Sequence, residues 1–143
     1  MSILQFKDWL ETPQGRYLLD WEQTQFDRIV ADIFGYYAVQ LGLPQEALLR
    51  ASRMPHRLCC GPEDADVRAN AFALPFATAS LDLVVLPHVL EFSPHPHRVL
   101  REVEVRQGEA FARLSPADHL EIHFDIDFVD AAIFRASVMG DPA

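Results

Sequence analysis

The sequence predicts an α/β domain with an open, mostly parallel sheet preceded by N-terminal helices. Three observations carry this. Residues 81–86, LDLVVL, form an almost unbroken apolar run of strand length, as in a strand buried on both faces beneath covering helices. Two further runs, YYAVQLG at 36–42 and RLCC at 57–60, read as strands, with helical or irregular segments between all three. The stretch before them, 1–35, shows helical spacing instead.

Each element has its own signal. Ser2 and Gln5 fit a capping box, with Phe6, Trp9 and Leu10 on one helical face behind it. Thr12-Pro13 reads as a second helix start, cap residue followed by a proline in the first turn. That helix runs to about Phe34, with Leu19, Phe26, Val30 and Ile33 at helical spacing and Gly35 able to end it; Trp21 and Phe26 read as core. After the first strand, Gln45 to Ser52 reads as a short helix. Gly61-Pro62 stops the second strand, and the polar stretch at 61–70 and the irregular one at 71–80 lead to the third. Ser93-Pro94 opens a helix to about Val105, whose inner face is Val99, Leu100 and Val103. Near the end, HLEIHFDIDF at 119–128 alternates strictly, as in a strand with one wet face in an antiparallel or edge position. Residues 131–139 read as a final short helix. The chain is expected to be one domain over 1–143: a helical lead-in at 1–35, a core at 36–114, and a C-terminal strand and helix at 115–143.

Composition narrows the functional classes. Half of the 143 residues are hydrophobic, enough for a real core, and the formal net charge is −9. Lysine is nearly absent and no basic cluster exists, which argues against nucleic acid as a partner. No apolar run is long enough to span a bilayer, and the N-terminus lacks the charged start and apolar stretch of a secretory signal. No membrane partner is expected, and the cytoplasm is the expected compartment. The adjacent Cys59 and Cys60 fit neither a disulfide framework nor a metal pair and read as strand thiols.

In an open α/β sheet, ligands sit beyond the carboxyl ends of the parallel strands. Gly42, the Cys60–Glu63 region and Pro87-His88 all fall at such ends. The stretch NAFALPFATASLDLVVLPHVLEFSPHPHRVLREVE then resembles the class I S-adenosylmethionine-dependent methyltransferases, most closely their bacterial small-molecule branch. The residues that carry the resemblance are Asn70-Ala71, Leu74-Pro75-Phe76, Asp82, Leu90-Glu91-Phe92 and Leu100-Arg101-Glu102, in that order. It covers about a quarter of the chain. The helix-rich lead-in also looks like that of one bacterial subgroup.

The resemblance implies a Rossmann-like methyltransferase fold with S-adenosylmethionine over the strand ends and a small-molecule nucleophile as methyl acceptor. By the same resemblance Gly42, Glu63, Asn70, Ala71 and Leu86 line the cofactor, and His88 stands near the reactive methyl. There a neutral imidazole could take a proton from the acceptor; the structural alternative is a histidine that orders its turn. The chain departs from the family in three ways. The turn after the first strand has one glycine, Gly42, where the family carries several. Glu63 and Asp64 stand near the ribose-binding acid's place without closing the strand. Asn70 replaces the acid that faces adenine, so an amide oxygen must accept without the charge. Further on, REVEVRQGEAFARLS looks like the family's helix, turn and fifth strand with residues missing, with Gly108 as the turn and a short strand at 109–114.

A sheet that falls short of the family's leaves an open edge, which invites pairing with another chain. A second reading follows: a catalytically inactive methyltransferase-like fold serving as an interaction or self-associating module. A third is metal binding on the wet face of 119–128, where His119, Glu121, His123, Asp125 and Asp127 offer ligands suited to zinc or manganese. A solvated strand face gives the same pattern, as a solvated helix start does for His95 and His97, and no metal site is assigned.

Overall fold

The computed structural model describes residues 2–107 and 132–135. Helices α1 (Ile3–Leu10) and α2 (Pro13–Val30) come first, followed by strands β1 (Tyr37–Leu41), β2 (His56–Gly61), β3 (Val67–Arg68) and β4 (Leu83–Leu86). A short 3-10 turn at Leu90–Phe92, helix α3 (Pro96–Gln107) and strand β5 (Ala132–Arg135) complete the order. The sheet runs β3-β2-β1-β4-β5. The pairs β1·β2, β1·β4 and β2·β3 are parallel, and β5 joins β4 antiparallel. This is the α/β, mostly parallel sheet with N-terminal helices that the sequence predicts.

The helices begin where their caps dictate. The Ser2 side chain accepts from the Gln5 amide while the Gln5 Oε1 accepts from the Ser2 amide, closing the capping box. Thr12 accepts from the Gly15 amide and Pro13 occupies the first turn of α2. Leu19, Phe26, Val30 and Ile33 are all buried, as their spacing requires. Trp21 is not core: its indole lies on the exposed side of α2, a hundred-degree step away from the buried row.

All four residues of β4 are closed to solvent, and alternate ones serve opposite layers. Leu83 and Val85 pack with Phe26 and Val30 of α2. Val84 and Leu86 pack with Val99 and Val103 of α3. Burying each such side chain contributes about 1.5–3 kcal/mol, so this strand anchors both faces. Its start is tied to β1 by Asp82, whose Oδ2 accepts from the Tyr36 and Tyr37 amides at 2.7 and 3.1 Å. Gly35 permits that tie, because a Cβ there would lie 2.5 Å from the Asp82 Cβ. Its role is close approach beneath Asp82; α2 has already ended at Val30.

Three expectations need correction. Gln45 to Ser52 form turns and no helix. The cause is Gln40, buried in β1, whose Nε2 donates to the carbonyls of Gly42, Leu43 and Glu46, each at 2.9 Å, and whose Oε1 accepts from the Leu48 amide at 3.1 Å. A side chain that claims these groups leaves no room for a helical ladder. Second, the polar loop at 61–70 contributes β3, whose two residues pair with Cys60 and Gly61. Third, Ala132–Arg135 is a strand where a helix was expected at 131–139; its AIFR run pairs residue for residue with Leu86–Leu83, and the vacant side of β4 outweighs local preference. The strands expected at 109–114 and 119–128, and the metal face on the latter, lie outside the described residues.

Candidate functional site

The chain passes from β1 outward to β2 and β3, then returns to β4 on the other side of β1. That reversal opens a crevice between the carboxyl ends of β1 and β4, where ligands bind in open α/β sheets. A cleft of about 290 Å³ lies there, near the small end of the usual range for ligand sites. Gly42, Leu43 and Pro44 after β1 and Pro87, His88 and Val89 after β4 form two of its walls. Pro62 and Glu63 after β2, with Asn70, Ala71 and Phe72, form a third. Ile3 and Lys7 of α1 reach over it from the N-terminal helices.

Five of the six sequence-predicted site residues therefore meet on one cleft: Gly42, Glu63, Asn70, Ala71 and His88. Leu86 does not. It is fully buried in the layer beneath α3, because the last residue of β4 still belongs to the strand's inward alternation. Gly42 has φ +84°, a left-handed conformation that glycine adopts without cost, and a Cβ there would meet the Val89 Cγ2 at 3.5 Å and the Pro87 carbonyl oxygen at 4.0 Å, ordinary contacts. Glu63 is exposed and, among the described residues, has no hydrogen bond or ion pair. Asn70 is exposed, and its Oδ1 accepts from the Phe72 amide at 3.0 Å, which shapes the wall and occupies one lone pair of the oxygen.

His88 differs from the rest. Its backbone sits at φ +57°, a strained conformation for a residue with a Cβ. Its side chain is buried, with the Nε2 at 2.9 and 3.0 Å from the two oxygens of Glu22 and the Nδ1 on the Oε1 of Glu91. The ring also packs on Phe6 of α1, centroids 4.6 Å apart. Both nitrogens are thus taken inside the protein. Burial pushes the imidazolium down, but the bonds and charges of Glu22 and Glu91 outweigh it and hold the His88 pKa above its ordinary value. Burial pushes Glu22 up as well, only partly offset by His88. Spacing could not reveal this group. Glu22 lies one helical turn before Phe26 on the buried stripe of α2, and a charged residue at a core position was the available signal.

The cysteines behave as strand thiols. Cys60 is buried and Cys59 half-buried, neither is bonded to another sulfur, and burial raises the Cys59 thiol to about 11. Among the described residues no group of three or more His, Cys, Asp or Glu side chains is arranged so that it could hold a metal ion. No helix among them is long and apolar enough to cross a membrane.

Comparison with known proteins agrees with this architecture. Residues 44–106 match the family model described as "Methyltransferase domain", from the turn after β1 to the end of α3. The chain is 27% identical over 99 residues to the uncharacterized protein YafS of Escherichia coli K12, a match that covers 67% of this chain and 41% of that protein. The chain thus spans about two-fifths of the length of the curated relative it matches. No solved structure matches. Residues 44–106 are thus similar to a methyltransferase domain, and the mostly parallel α/β sheet with its strand order is consistent with that likeness.

Proposed function

We propose that the cleft binds S-adenosylmethionine and that the protein transfers a methyl group from it to a small-molecule nucleophile. One observation carries the reading: the reversal of strand order gathers Gly42, Glu63, Asn70 and Ala71 on a single cleft although they come from three separate loops. The residues fit the cofactor. Gly42 lets backbone pass close to its amino-acid part, the unpaired carboxylate of Glu63 can accept from ribose hydroxyls, and Asn70 keeps an amide edge for adenine. When bound, the cofactor supplies an electrophilic methyl on a sulfonium; the acceptor's lone pair forms the new bond while the carbon–sulfur pair leaves to sulfur.

The protein's part is then orientation and exclusion of water. With both nitrogens engaged, His88 acts in this reading as a positioning residue that fixes Pro87 and Val89 in the cleft wall. A proton lost by the acceptor passes to solvent. Calorimetric titration and thermal unfolding with S-adenosylhomocysteine test the cofactor claim. A ligand selective for the folded state stabilises it by about 2.7 kcal/mol at a hundredfold excess over its Kd. Heat of binding and a raised Tm are expected; neither at millimolar ligand sinks the reading.

A second reading, an inactive fold used for association, is favoured by the outer side of the sheet. β3 covers only Cys60 and Gly61, and the Cys59 amide beyond it is taken by the Asp66 side chain at 2.9 Å. Leu58 of β2 is exposed, as are Tyr37 at the start of β1 and Phe34 before it. Light scattering separates the two: a monomer that binds S-adenosylhomocysteine supports the enzyme.

A further inference from the structure

The twelve basic residues of the chain comprise eleven arginines and a single lysine, Lys7. That lysine lines the cleft. It is half-buried, and among the described residues no hydrogen bond, ion pair or ring contact engages it. Its neighbours explain why it stays there. Phe6 packs on the rings of His88 and Phe92, with centroids 4.6 and 5.1 Å apart, and thereby holds α1 against the loops that follow β4. Lys7 is consequently presented at the mouth by a docked helix.

The surroundings say what such a group would meet. Most of the lining is apolar, with Ile3, Leu43, Phe72, Val89 and Phe92 among it. Glu63 is the cleft's single carboxylate, and it belongs to the β2 wall. His88 is already held between two glutamates. A half-buried ammonium at the mouth of an apolar cleft can keep its head in water and stay available to an entering anion. The chain as a whole carries a formal charge of −9, so an anionic ligand needs a local cation to enter.

Resting on the methyltransferase reading, we propose that the methyl acceptor is a carboxylate-bearing, otherwise apolar small molecule, and that Lys7 selects it by pairing with the carboxylate. Apolar walls take the body of the acid and the ammonium takes its head. A ligand of this kind also suits a cleft whose histidine has no nitrogen to spare, since the acid arrives already ionised.

The lone lysine makes the test direct. Reductive methylation with isotope-labelled formaldehyde keeps the positive charge and labels only Lys7 and the N-terminal amine, and labelled Lys7→Met identifies which resonance is which. The labelled protein, saturated with S-adenosylhomocysteine, is titrated with 4-hydroxybenzoate and octanoate and with the amides of the same acids. The Lys7 resonance should move saturably with the acids and stay in place with the amides. Unlabelled Lys7→Met should bind the acids at least about ten-fold more weakly, the size of one charge-assisted contact, and keep its affinity for S-adenosylhomocysteine. Equal responses to acids and amides, or acid binding unchanged in Lys7→Met, overturn the proposal. So does loss of S-adenosylhomocysteine binding in Lys7→Met, which assigns the ammonium to the cofactor's own carboxylate. Acid binding that persists in a protein with no affinity for S-adenosylhomocysteine overturns the methyltransferase reading and leaves the anion site standing.

Discussion

The Nε2 of His88 lies 2.9 Å from the Oε1 of Glu22, across 66 positions of sequence, with both side chains sealed from solvent. The contact joins the second helix to the loop that follows β4. It couples the N-terminal helices to the cleft, because the same loop supplies Pro87 and Val89 to its wall.

The pair makes stability depend on pH. His88 is raised above its ordinary value of 6.5, so its contribution is complete below about pH 6.5 and is lost as pH rises through the raised value. Glu22 is raised from 4.5, which has the same sign: its contribution is present at low pH and goes as pH rises through its own raised value. Both groups bind protons more tightly in the folded chain. Urea unfolding from mildly acidic to mildly alkaline pH should show stability falling with pH, with a shallower slope in the double variant Glu22→Gln/His88→Asn, where neither group titrates and asparagine tolerates the left-handed backbone at 88. Equal slopes in both proteins would exclude the pair as the source.

Breaking the pair from one side should be expensive. His88→Ala leaves the Glu22 carboxyl buried without its partner, at an expected cost of about 3–5 kcal/mol in chemical denaturation. Replacing Glu22 by Leu as well should recover part of that loss. A double variant as unstable as the sum of the singles would mean that the two residues do not act as a unit.

Gln40 supports the loop that forms one wall of the cleft. Gln40→Leu keeps the bulk but removes the Gln40 bonds to three carbonyls and the Leu48 amide, leaving the Leu43 carbonyl its bond from the Glu46 amide and the Gly42 carbonyl the weak one from the Cys59 thiol. A loss of about 3 kcal/mol is expected, together with weaker binding of S-adenosylhomocysteine, since Leu43 and Pro44 would no longer be held. A stability loss without any change in affinity would separate the loop from the ligand.

At Gly42 the two effects come apart the other way. A methyl group there meets no clash, so Gly42→Ala should cost only the backbone term, about 1–2 kcal/mol. The cofactor reading requires a much larger fall in affinity for S-adenosylhomocysteine, because the added carbon stands where backbone must approach the ligand. Calorimetric titration of the variant reads this directly; an unchanged Kd would move the ligand away from Gly42.

Asp82 gives a control far from the cleft. Its carboxylate serves two amides at the foot of the sheet, and Asp82→Ala should cost about 2–3 kcal/mol while leaving ligand affinity intact.

The apolar runs made the sheet legible. LVVL could be read as a strand because burial on both faces leaves an unbroken apolar string, YAVQL because Gln40 alone interrupts its apolar residues, and the helix starts because Ser2 and Thr12 are cap residues in cap positions. Gly42, Glu63, Asn70, Ala71 and His88 could be placed on one rim because strand ends are set by those same runs. What stayed hidden depends on partners distant in sequence. The turns at 44–51 follow from one buried amide in β1, and β5 follows from a vacancy beside β4. Lys7 enters the cleft through the docking of Phe6 on His88, which no periodicity encodes.

The Glu22–His88 contact also sets an order of assembly during synthesis. Helix α2 leaves the ribosome well before residue 88, and its buried stripe then carries a carboxylate with nothing to meet. Docking that stripe early would strand the charge, so the first helices stay undocked until β4 and its loop have emerged. The nascent chain should gain protection from protease in one step, after His88 has cleared the exit tunnel, rather than helix by helix.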